Sequence, residues 1–124
     1  MSLAFELHDA RLASVLLEPG RACLCFDALY IHGETHGWYQ KAVLELGQGS
    51  IAGALPEEME DSYLVTGELI VGAETYRNVV PLPLETAERV ELTLEFALGE
   101  RLVLSCRGAS LRLLGEPGAQ EPLP

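Results

Sequence analysis

The stretch Arg89-Val90-Glu91-Leu92-Thr93-Leu94-Glu95-Phe96, followed after Ala97-Leu98-Gly99-Glu100 by Arg101-Leu102-Val103-Leu104-Ser105-Cys106-Arg107, decides the fold. Val90, Leu92, Leu94 and Phe96 alternate with Glu91, Thr93 and Glu95. Successive side chains of a strand point to opposite faces, so this alternation predicts an antiparallel strand pair with one apolar and one wet face. Setting Phe96 opposite Leu102, Leu94 opposite Leu104 and Leu92 opposite Cys106 requires an odd loop, either residues 98–100 or residues 97–101. A two-residue Leu98-Gly99 turn would set Phe96, Leu94 and Leu92 against Arg101, Val103 and Ser105, because one residue of slip exchanges the two faces.

Outward from this pair the chain reads as further hairpins. Glu18-Pro19-Gly20-Arg21 has proline and glycine in the central positions of a turn. Pairing outward from it sets Leu17 against Ala22, Val15 against Leu24 and Ala13 against Phe26, in a first strand over residues 11–17 that follows a loose start. Both faces of that pair are largely apolar, which predicts cover on both sides. The apolar parity then moves from Phe26 to Leu29 and Ile31, predicting a bulge at Asp27-Ala28.

A third strand over residues 38–46 carries Trp38, Ala42, Leu44 and Leu46 on one face, broken by Gln40. Residues 47–61 are irregular, with at most two helical turns starting at Pro56. Residues 62–71 resume strand character, with Gly67 as a bulge or bend, and Pro81 and Pro83 confine residues 75–84 to a sheet edge or an extended cover. Residues 110–114 read as one more short strand. The expected architecture is all-β: a single antiparallel β-sandwich or flattened barrel of about eight strands, hairpin-connected, with little helix. Residues 1–115 form one β domain, and residues 116–124, aperiodic and proline-bearing, form a disordered or loosely attached tail.

Nineteen acidic residues against eight basic ones give a net charge of −11. Such a field repels phosphate, so nucleic acid and anionic membrane surfaces are poor partners, whereas a basic protein, a cation or a neutral small molecule is compatible with it. The start, Met1 to His8, lacks the charged and apolar regions of an export signal, and no apolar run approaches the roughly 18 residues of a membrane span. The expected location is the cytoplasm. Cys23, Cys25 and Cys106 are an odd number in a chain without an export signal, so they are expected as reduced thiols, and no Cys-x-x-Cys knuckle is present.

Three groups of residues carry candidate chemistry. In His32-Gly33-Glu34-Thr35-His36 an extended backbone would turn His32, Glu34 and His36 the same way, giving two imidazoles and a carboxylate. Zinc suits that donor set, with a fourth ligand to come from His8 or Asp9, although the flanking glycines favour a polar loop. Tyr30, Trp38 and Tyr39 form the densest aromatic group, the kind that anchors interfaces as well as cores. Glu57, Glu58, Glu60 and Asp61 form an acidic cluster, either a solvated surface or a partner site. The glycines at 47, 49 and 53 have the spacing G-x-G-x-x-x-G, with Pro56 close behind, which suits a connection and not a phosphate cradle.

No nucleophile elbow, Walker sequence or EF-hand loop occurs. The leading expectation is therefore a non-enzymatic protein-interaction module without a cofactor, using an acidic surface or a proline-bearing edge to bind a protein of basic character. A small-molecule-binding barrel and a metal-dependent enzyme on His32, Glu34 and His36 are the alternatives. An uncapped edge is also where copies of the chain would pair into a homo-oligomer, unless Pro81 and Pro83 prevent it.

Overall fold

The period-two segments fold into β1 (Leu3–Glu18), β2 (Arg21–His32), β3 (His36–Leu46), β4 (Gly49–Gly53), β5 (Leu64–Val71), β6 (Glu74–Arg77), β7 (Val79–Leu82), β8 (Glu85–Phe96), β9 (Arg101–Leu114) and β10 (Glu121–Pro122) in a computed structural model that describes residues 2–59 and 62–123. Their order in the sheet is β6-β5-β8-β9-β3-β2-β1-β7, every neighbour antiparallel, with β4 pairing β9 and β10 pairing β3 off this path. The result is one antiparallel sheet that curls like a flattened barrel without closing.

The β8–β9 hairpin has the odd loop that its facing side chains demand. Its residues are Ala97, Leu98 and Gly99, so Leu94 faces Leu102, Leu92 faces Leu104 and Val90 faces Cys106. This register lies two residues from the expected one, for a backbone reason. Phe96 N–H donates to the Glu100 carbonyl (2.9 Å) and Gly99 N–H to the Phe96 carbonyl (2.9 Å), which puts Gly99 at φ 101°, the left-handed position closing a three-residue hairpin. A loop over residues 98–100 would have demanded that conformation of Glu100.

β9 continues unbroken through residues 110–114, which are not a separate strand. Opposite β8, its first half pairs with β4 and its second half with β3. The glycine-rich stretch is thus a strand as well as a connection. A Cβ at Gly47, Gly49 or Gly53 would collide with the carbonyl oxygen of Arg107, Ser105 or Arg101, so the glycines let two backbones approach.

In the β1–β2 hairpin, Glu18 faces Arg21, Leu17 faces Ala22 and Val15 faces Leu24 as expected. A bulge at Ala13 then puts Leu12, not Ala13, opposite Phe26. The Asp27-Ala28 bulge is present in both ladders of β2, and through it Phe26, Leu29 and Ile31 all reach the core. The hairpin end is not covered on both sides: Leu16 and Leu17 are 52% and 60% exposed, because β7 pairs β1 only from Leu3 to Glu6.

The supposedly loose start is strand as well, with Phe5 and Leu7 buried and Glu6 facing outward. β6 and the proline-bearing β7 end the strand order, as expected of a segment that Pro81 bars from a sheet centre. Residues 54–58 are irregular with Pro56 buried, and Ser62 N–H donates to the Met59 carbonyl (3.2 Å).

Asn78, the single residue between β6 and β7, pins the two margins of the sheet together. Leu7 N–H of β1 donates to its carbonyl (2.6 Å), its own N–H donates to the Gly67 carbonyl of β5 (2.8 Å), and Gly67 N–H donates to its Oδ1 (2.9 Å). Asn78 sits at φ 63°, a conformation asparagine tolerates better than most residues. Gly67 itself is regularly paired, and the bulge lies nearer Val65; Gly67 lacks a side chain because Leu7 packs where its Cβ would be. Phe5, Leu24, Ile31, Leu44, Leu69, Leu92 and Leu104, drawn from strands across the sheet, join one buried cluster.

Candidate functional site

The turn after β2 is tight. Gly33 N–H donates to the His36 carbonyl (2.8 Å) and His32 faces Gly37, leaving Glu34 and Thr35 at the tip. Residues 32, 34 and 36 therefore do not share one extended segment. His32 lies on the outer face of β2, whereas His36 has the parity of the inward Trp38 at the exposed end of β3 and its Nδ1 is 2.8 Å from Thr35 Oγ1. His8 Nδ1 is engaged with the Val65 carbonyl at 2.7 Å. Among the described residues no three His, Cys, Asp or Glu side chains converge to hold a metal ion.

The register brings other groups together. One cross-strand row on the outer face runs Tyr39, Tyr30, Glu6, Val79; the next runs Glu121, Gly37, His32, Ala4, Pro81. Tyr30 meets Tyr39 edge to face, with ring centroids 5.0 Å apart, and His32 likewise at 4.9 Å. Its ring covers Gly37, where a Cβ would strike the phenol. His32 Nε2 is 3.4 Å from Glu6 Oε2. Burial pushes the Tyr39 phenol above its ordinary pKa, and the nearby carboxylates of Asp9, Glu121 and Glu6 push it further. Beyond Tyr39, an open recess of about 380 Å³ is lined by Asp9, Arg11, Ala28, Tyr39 and Tyr63.

Trp38 leaves this aromatic group and packs against the core from the inner face. Its indole N–H donates to Gln40 Oε1 (2.9 Å), which explains the polar break in the apolar face of β3. Gln40 Nε2 in turn donates to the Gly115 carbonyl (3.1 Å). From there the chain runs back along β3: Gly118 N–H donates to the Tyr39 carbonyl (2.9 Å), Glu121 and Pro122 face Gly37 and His36, and Leu123 N–H donates to the Thr35 carbonyl (3.2 Å).

Glu57 and Glu58 are exposed and line a separate open recess of about 480 Å³ with Leu55, Pro56, Leu98 and Glu100. Glu60 and Asp61 lie outside the described residues. At the end of the barrel, between the β1–β2 turn and the glycine-rich bend, Leu17, Ala22, Leu46, Ile51, Leu104 and Cys106 line a recess of about 310 Å³. Burial pushes the thiols of Cys106 and Cys23 up, and all three cysteines are free.

Glu6 and Glu121 escaped the sequence reading. For Glu6 the signal was present in Leu3-Ala4-Phe5-Glu6-Leu7, which alternates as regularly as many strands. Glu121 had none. No helix among the described residues is long and apolar enough to cross a membrane. No protein-family model, curated protein or solved structure matches the chain.

Proposed function

We propose that the chain is a non-enzymatic protein-interaction module of the cytoplasm that receives an extended segment of another protein by strand addition. The observation that carries this reading is the edge of β3. β9 pairs β3 only from Lys41 to Leu46, and beyond that point an extended segment, residues 118–123, lies along the edge through backbone hydrogen bonds while 118–122 stay exposed. A strand edge supplies affinity through main-chain groups and leaves selectivity to alternate side chains. The net charge of −11 favours a basic partner. Capture at low ionic strength, followed by hydrogen exchange on the captured complex, tests the reading. Protection of edge amides is expected, and either no captured protein or protection confined elsewhere would refute it.

A second reading, a small apolar ligand in the barrel-end recess, is favoured by that recess's apolar lining and by its volume of about 310 Å³, near the lower bound of ligand sites. Binding of an apolar fluorescent dye, lost in Ile51→Asp at the rim, is the expected result; binding unchanged in that variant places the dye elsewhere and defeats this reading.

A further inference from the structure

We propose that the β3 edge from Thr35 to Gln40 is built for a partner segment carrying lysine or arginine where this chain has Glu121, and that residues 115–123 are its replaceable occupant. The inference rests on the interaction-module reading and deepens it by naming the partner's chemistry. Three observations support it.

The first is how lightly the occupant is held. Residues 115–122 are all exposed, and none of residues 115–123 belongs to the buried cluster. Pro117 and Pro122 have no N–H to donate. Two backbone hydrogen bonds to β3, one two-residue ladder and the Gln40 amide are the contacts described.

The second is charge. Glu121 stands across Gly37 in the row that continues to His32, whose Nε2 lies 3.4 Å from Glu6, and Asp9 lines the recess beside Tyr39. The occupant thus brings a carboxylate to a face that already holds two. A cation at that position would meet Glu6 and Asp9 in place of repulsion, and the ring faces of Tyr30 and Tyr39 also favour a cation.

The third is shape. A Cβ at Gly118 would lie 2.7 Å from the Tyr39 carbonyl oxygen, so the segment needs glycine there. Gly37 leaves the space opposite residue 121 free of a side chain of its own. The partner motif is therefore extended, with glycine three residues before the basic residue: Gly-x-x-Lys or Gly-x-x-Arg.

The test uses the full chain with Gly118→Val, which dislodges its own segment at an exposed position outside the core. The probes are a peptide of residues 115–124 and the same peptide with Glu121→Lys. Amide resonances of residues 35–40 report binding. The lysine peptide is expected to shift them with roughly tenfold higher affinity than the parent at low salt, a gap that narrows as salt screens the exposed charges. Equal or tighter binding of the parent peptide overturns the basic preference while leaving strand addition standing. If neither peptide shifts residues 35–40, both readings fall. Should Gly118→Val fail to fold, Glu121→Lys in the full chain is expected to slow amide exchange at Gly118 and Leu123 severalfold, and unchanged or faster exchange overturns the charge argument.

Discussion

Replacing Asn78 tests whether the margins of the sheet are held where the hydrogen bonds place them. Asn78→Gly keeps the left-handed backbone at φ 63° but deletes Oδ1, leaving the Gly67 N–H without its 2.9 Å acceptor on a buried residue. An unsatisfied buried donor costs about 1–3 kcal/mol. Asn78→Ala loses the same acceptor and adds the left-handed penalty of a residue with a Cβ and no local hydrogen bond, about 1 kcal/mol more. The expected order of stability is wild type, then Asn78→Gly, then Asn78→Ala, with the alanine variant about 2–4 kcal/mol below wild type. At about 4 °C per kcal/mol for a chain of this size, its Tm would fall by about 8–16 °C. Urea unfolding with an unchanged slope measures the free-energy difference, and amide exchange at Leu7 and Gly67 shows whether the seam opens before the rest of the sheet. An alanine variant within about 0.5 kcal/mol of wild type would refute the seam argument. An alanine variant more stable than the glycine variant would refute the backbone half of it.

Three further outcomes are expected. Gly99→Ala should cost about 1 kcal/mol through φ 101° alone, since nothing lies within 4 Å of the added carbon; Gly99→Asn should recover part of the loss in the same urea titration, and no recovery would point to a contact instead. The hydrogen bond to the Val65 carbonyl, helped by Asp9 and Glu6, raises the His8 pKa above 6.5. Its stabilisation is then fully present below the unfolded value and lost as pH rises through the folded one, so the thermal-stability advantage of wild type over His8→Ala should shrink from about pH 5 to about pH 8, and a gap that grows would contradict the assignment. Cys23 and Cys106, buried and with raised thiol pKa values, should react with a thiol reagent far more slowly than half-exposed Cys25; three equal rates in folded protein would count against the buried placement of the first two.

Strand identity was legible wherever one face was wet. The alternation at residues 90–96, the Pro19-Gly20 turn and the parity change at Asp27-Ala28 each have a local cause, and each is found in the structure. Register was less legible, because it depends on where the backbone turns left-handed: Gly99 moved one hairpin by two residues, and the bulge at Ala13 shifted another. The candidate site was half visible. Tyr30, Tyr39 and His32 do share a face, but Trp38 points inward and the tight turn at Glu34-Thr35 separates His32 from His36. That turn is a long-range consequence of β2 pairing with β3. Glu121 lay beyond any pattern, since its place is set by main-chain bonds to β3 that leave no periodicity in its own segment.

The glycines at 47, 49 and 53 differ from every apolar position in the molecule in what surrounds them. A methyl group added to any of them meets a main-chain oxygen of β9, not another side chain. Core residues can exchange volume with their neighbours, Leu92 against Leu104 for instance, while the fold persists; a carbonyl oxygen has nothing to give up. Under long sequence drift the apolar letters of this chain are free to wander, and the spacing Gly-x-Gly-x-x-x-Gly is not. Distant descendants of this sheet would keep their ancestry in that spacing after their cores had ceased to resemble one another.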